Sequence, residues 1–108
     1  MDLLPEALRK KLPPLYATEH DADPTVWCRF FYPFSGWRWY VTEFDGDDTF
    51  FGLVAGFEVE LGYFSLAEMM TTRDAKGCSI ERDLAFHPCR LSKLRAAIEQ
   101  AQQDRADD

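Results

Sequence analysis

The chain has 108 residues, a formal net charge of −7, 46% hydrophobic residues and 15% aromatic residues. That is enough apolar material for one core and one domain, and too much for an intrinsically disordered chain. A nucleic-acid backbone is bound by cations along the contact, so this acidity disfavours direct nucleic-acid binding.

The N-terminal MDLLPEALRKKL has its basic residues after the apolar ones and lacks the long apolar core of a signal peptide. Residues 4–12 are predicted helical, with Pro5 in the first turn, Leu4, Leu8 and Leu12 in one stripe, and Pro13-Pro14 as the stop. Residues 17–24 read as a polar loop.

Residues 25–32 are the first predicted strand, rich in β-branched and aromatic residues. Val26, Cys28, Phe30 and Tyr32 share one face of it, and Trp27, Arg29 and Phe31 the other. A second strand covers 37–44, with Trp37, Trp39 and Val41 opposite Arg38, Tyr40 and Thr42. Asp45-Gly46 is a hairpin signal, because Gly accepts positive φ without steric cost. Residues 49–55 are apolar without alternation, as suits a strand covered on both faces.

From 57 to 64 the pattern becomes strict period two. Phe57, Val59, Leu61 and Tyr63 are expected on a buried face, and Glu58 and Glu60 on a wet one. Ser65-Leu66-Ala67-Glu68 is a capping box that opens a helix over 66–72, with Phe64 and Met69 spaced as a hydrophobic staple. A loop over 73–79, a short strand over 80–86 ended by Pro88, a helix over 91–103 and a fraying acidic tail over 104–108 complete the chain. The expected fold is α+β: a four-stranded antiparallel meander, with room for a fifth short strand, flanked by helices in a single domain.

No run approaches the ~18 apolar residues of a membrane helix. Cys28, Cys78 and Cys89 are odd in number and irregular in spacing, so no disulfide framework is expected, in keeping with a reducing cytoplasm. From Trp39 to Thr72 there is no Lys or Arg, while Glu43, Asp45, Asp47, Asp48, Glu58, Glu60 and Glu68 fall in that stretch. The plain interpretation is solvated turns and a wet sheet face. The sharper one is an acidic surface, built from Asp45, Asp47, Asp48, Glu58 and Glu60, that meets a basic protein partner.

Other chemistry is weaker. Glu58 and Glu60, roughly 7 Å apart at a rise of ~3.3 Å per residue, form a carboxylate pair of the kind that binds a metal or divides acid and base roles. A small enzyme or metal protein would add His20 or His87 to them. Asp45, Asp47 and Asp48 lack the later ligands of a calcium loop. Cys78, His87, Cys89 and His20 lack a C-x-x-C pair for zinc. Trp27, Trp37, Trp39 and Tyr40 are a possible base-stacking surface for single-stranded nucleic acid, although aromatics more often build cores. No G-x-G-x-x-G, P-loop, H-E-x-x-H or G-x-S-x-G occurs. No catalytic residue, metal or cofactor is therefore assigned.

LPPLYATE (12–19), DPTVWCRFF (23–31), WYVTEFDGDDTFFGLVAGFEVELGYFSLAEM (39–69) and IERDLAF (80–86) resemble the bacterial family known as domain of unknown function twenty-nine fifty-eight. The resemblance covers nearly the whole chain and implies no catalytic residues. It implies a setting on plasmids, phages and integrative elements, near replication and conjugation genes. Some relatives look like anti-CRISPR inhibitors of Cas9 nucleases, which makes an anti-defence protein binding a nuclease one expectation.

Overall fold

The computed structural model describes residues 1–106. Helix α1 spans Glu6–Arg9, shorter than the expected 4–12. Its last turn tightens instead of continuing: Lys11 N–H donates to the Leu8 carbonyl and Leu12 N–H to that of Arg9. The leucine stripe still does its work, since Leu4 and Leu12 are buried and Leu8 packs beside them.

The first expected strand is split at Trp27. Strand β1 (Thr25–Val26) pairs antiparallel with β7 (Cys89–Arg90) in a separate two-stranded sheet. Strand β2 (Cys28–Phe31) joins the main sheet. Val26 consequently leaves the Cys28–Phe30 face and packs in a different core cluster.

The main sheet contains β2, β3 (Arg38–Phe44), β4 (Thr49–Ala55), β5 (Val59–Ser65) and β6 (Glu81–Arg82) in the order β5-β4-β3-β2-β6, all antiparallel. The four consecutive strands form the expected meander, and β6 extends it to five. The Asp45-Gly46 turn holds Gly46 at φ 89°. Helix α2 covers Leu66–Thr71 and α3 Leu91–Ala106. The helix therefore takes in 104–106 of the expected tail, and residues 107–108 lie outside the described ones.

Each sheet face carries a core cluster. On one, Phe30, Val41, Phe44 and Phe50 pack against the N-terminal leucines, Met69 of α2 and Ile80. The Phe50 ring stacks between Phe44, at 4.6 Å, and Phe64, at 5.3 Å. On the other, Tyr40, Leu53 and Ala55 pack against Leu91, Leu94 and Ile98 of α3. Cys28 is buried, and burial pushes its thiol up to about 12.

Helix α3 crosses the second face at Val59 and leaves the rest of β5 uncovered. Leu61 is 45% exposed and Tyr63 56%, against the expectation of a buried face over 57–63. Phe57 and Glu58 lie in the turn before β5 instead of in the strand, and Phe57 is 95% exposed. Strict alternation records which side chains share a face. It does not record whether another element reaches that face at the edge of a sheet.

Candidate interaction surface

A β-bulge in β3 shapes the uncovered part of the second face. Val41 is opposite Gly52 and Glu43 opposite Phe51, which leaves Thr42 as the extra residue. A bulge re-aims side chains. Thr42 and Glu43, both buried, consequently line the same cleft. Its volume is about 460 Å³, and it is lined by Phe51, Leu61 and Tyr63 from the sheet, Tyr16, Glu19 and Asp21 from the loop before β1, and Arg95 from α3.

Glu43 is fully engaged in holding that loop. Its Oε1 accepts from the Tyr16 N–H at 2.9 Å, and its Oε2 accepts from the Thr18 N–H at 2.9 Å and from the Thr18 hydroxyl. Tyr16 sits in the left-handed region at φ 70°, unusual for a non-glycine residue. Hydrogen bonding to Tyr16, then desolvation and the nearby Glu43 and Glu19, push the Tyr63 phenol above its ordinary value. No sequence motif marked Glu43, because its role depends on the bulge.

The five acids expected to act together are divided between two ends of β4. The seven residues of that strand, at about 3.3 Å each, put the two groups about 20 Å apart. At one end, Asp45 Oδ1 accepts from the backbone N–H groups of Asp47, Asp48 and Thr49. These bonds, the one from Asp47 foremost, hold the Asp45 carboxyl below its ordinary value. Asp48 accepts from the Ser65 hydroxyl at 2.6 Å and the Ala67 N–H at 2.7 Å, so it helps cap α2. Only Asp47 is exposed and makes no side-chain bond among the described residues.

At the other end, Glu58 and Glu60 are exposed and line a shallow notch with Trp37, Val54 and Phe57. The Trp37 and Phe57 rings meet edge to face at 5.4 Å, and Trp39 lies 6.0 Å from Trp37. Glu60 is opposite Val54, which is opposite Trp39. Arg38 is opposite Ala55 and Arg29 opposite Tyr40, so both arginines belong to the other face. Arg29 pairs with Asp83 at 2.9 Å, and the buried Arg38 Nε has no partner among the described residues. Neither glutamate pairs with a cation among the described residues.

The aromatic candidates do not form one platform. Trp37 and Trp39 stand together, Trp27 lines a separate cleft with Cys28, Arg82 and Phe86, and Tyr40 is buried in the opposite core. Among the described residues no three His, Cys, Asp or Glu side chains are grouped to hold a metal, so His20, His87, Cys78, Cys89, Glu58 and Glu60 are not brought together.

The outer edge of β5 is the other notable feature. The Leu66 N–H bonds the Asp48 carbonyl at 2.8 Å and the Gly56 N–H bonds the Glu58 carbonyl at 3.0 Å, one at each end of the β4–β5 ladder. Antiparallel pairs alternate between bonded and non-bonded. Phe50–Phe64, Gly52–Gly62 and Val54–Glu60 are therefore the bonded pairs, and Phe51–Tyr63, Leu53–Leu61 and Ala55–Val59 the non-bonded ones. The backbone N–H and C=O groups of Val59, Leu61 and Tyr63 consequently face away from β4.

These features define a small single-domain α+β protein with an open sheet edge between an acidic notch and an apolar cleft. The chain belongs to the family described as Protein of unknown function (DUF2958), which it matches over residues 3–105. Neither the curated proteins nor the solved structures gave a match. Among the described residues no helix is long and apolar enough to cross a membrane.

Proposed function

We propose that this chain is a non-catalytic binding module that captures a basic protein surface at the notch formed by Glu58, Glu60, Trp37 and Phe57. One observation carries this: two carboxylates stand beside an edge-to-face aromatic pair, and no cation of the chain is bonded to them among the described residues. An ammonium or guanidinium gains both from the ring faces and from a charge-assisted hydrogen bond. The lack of any Lys or Arg from Trp39 to Thr72 leaves that attraction unopposed along the chain. Asp45 and Asp48 drop out of the contact because the fold uses their carboxylates.

The resemblance to mobile-element proteins, some of which look like Cas9 inhibitors, makes the basic nucleic-acid channel of a Cas9-type nuclease the first partner to test. Three free cysteines fit a cytoplasmic setting. The test compares Glu58→Lys/Glu60→Lys with Glu6→Lys/Asp104→Lys, an equal change of charge elsewhere, in a capture and nuclease-cleavage assay. The first pair is expected to weaken capture by about two orders of magnitude, because like-charge juxtaposition costs several kcal/mol. Equal loss from both pairs would reduce the effect to net charge and overturn the notch as the site.

A further inference from the structure

The edge of β5 offers more than charge. Val59, Leu61 and Tyr63 present outward backbone donors and acceptors, and none of them has a backbone partner beyond β4 among the described residues. Natural sheets guard such edges with Lys, Pro, a bulge or a very short strand. The opposite edge, β6, has only two residues. Strand β5 has seven, with no Lys, Pro or bulge, and Glu60 is its only charge.

We infer that β5 is a strand-addition site whose occupant is an extended segment of a basic protein, with cationic and apolar side chains in alternation. The inference rests on the binding role proposed above and specifies the form of the partner.

The alternation follows from the register. A strand laid beside β5 sends successive side chains to opposite faces. Residues beside Leu61 and Tyr63 fall on the cleft face, next to Phe51, whose ring lies 4.9 Å from that of Tyr63. Apolar side chains gain there: of the charges lining the cleft, Glu43 is engaged by the Tyr16 and Thr18 N–H groups, and Arg95 balances one of Glu19 and Asp21. Residues beside Glu60 and Gly62 fall on the other face. A Cβ built at Gly62 meets nothing within 4 Å, so that face is open. Its charges are Glu60 and Glu58, beside the Trp37 ring, and a cationic side chain matches them. A second copy of β5 fits worse, because it would bring a second Glu60 to the same edge between two chains of net charge −7.

The test uses the full chain and a blocked synthetic peptide as long as β5, alternating lysine and valine. Amide hydrogen exchange at Val59, Leu61 and Tyr63 is followed by NMR. The expected result is slowing of these three amides by about tenfold or more on binding. N-methylation of the peptide at one parity of residues should abolish binding, and at the other parity should spare it. Leu61→Pro, which removes an outward donor without touching a β4 bond, should abolish peptide binding while leaving the β4–β5 amides protected.

Peptide binding that needs Glu58 and Glu60 but leaves the three amides unprotected would overturn strand addition and preserve the acidic notch. Failure of the peptide to bind, with a basic protein still captured, would do the same. Protection of the same amides that grows with protein concentration, without peptide, would make a second copy the occupant and overturn the inference.

Discussion

Glu43 accepts a hydrogen bond from the backbone N–H of Tyr16 at 2.9 Å, across 27 residues of sequence. The bulge at Thr42 turns Glu43 toward the cleft, and the carboxylate stabilises a left-handed tyrosine in the loop that walls it. Glu43→Gln replaces an acceptor facing only donors with a group that is half donor. One partly buried N–H then loses its partner, at a cost of about 1 kcal/mol. Urea denaturation should show that loss, and exchange should quicken at the Tyr16 and Thr18 amides well before the sheet amides respond.

Asp47 and Asp48 are neighbours with different duties. Asp48→Ala removes two acceptors from the start of α2 and should cost about 1 kcal/mol, the usual value of a cap. Asp47→Ala touches no bond made by that side chain and should stay within about 0.5 kcal/mol. A thermal melt of both variants separates them.

Two glycines give a matched pair of alanine tests. A Cβ at Gly52 would lie 1.8 Å from the Tyr40 carbonyl oxygen, so Gly52→Ala must move backbone at the centre of the sheet and should lower stability by about 1–3 kcal/mol or more. A Cβ at Gly56 would meet the Trp37 ring at 2.4 Å, and that half-exposed indole can swing away. Gly56→Ala should therefore leave the denaturation midpoint nearly unchanged and weaken partner capture. Trp37 fluorescence reports the displacement.

The pH dependence follows from two carboxyls held below their usual value of 3.8: Asp45 by its turn amides, and Asp23 first by the Ser92 hydroxyl and then by the Ser92 N–H. Each favours the folded state once ionised. Their contribution is present above 3.8 and is lost as the pH falls through the lower folded-state values. Asp45→Asn should flatten stability against pH in that acid range and nowhere above it. Carboxyl-carbon NMR titration of Asp45 and Asp23 checks the direction.

Local chemistry was the most legible part of this chain. Ser65 accepts from the Glu68 N–H at 3.2 Å, as the capping box predicts, and Phe64 and Met69 pack in one cluster. The Asp45-Gly46 turn and the meander it joins were equally plain, because turn residues and strand lengths are written in neighbouring positions. The acid that accepts from the Ser65 hydroxyl is another matter. It is Asp48, brought there by strand pairing. The same limit explains β7 and the split at Trp27. Both depend on which distant segment pairs with Thr25–Val26, and a two-residue strand has no periodicity to read. The candidate surface was half legible: the exposure of Glu58 and Glu60 was marked by their spacing, whereas the cleft depends on a one-residue bulge and on where α3 stops.

Cys28 carries a last consequence. Its sulfur is shielded in the native molecule, and the ionised form needed for attack on an alkylating reagent scarcely exists there near neutral pH. In a chain whose Cys78 and Cys89 have been replaced, iodoacetamide would therefore mark only molecules that have opened. Where labelling outpaces reclosing, its time course would clock the opening of the native state, and where reclosing is faster it would report the open fraction, with no dye or added chromophore required.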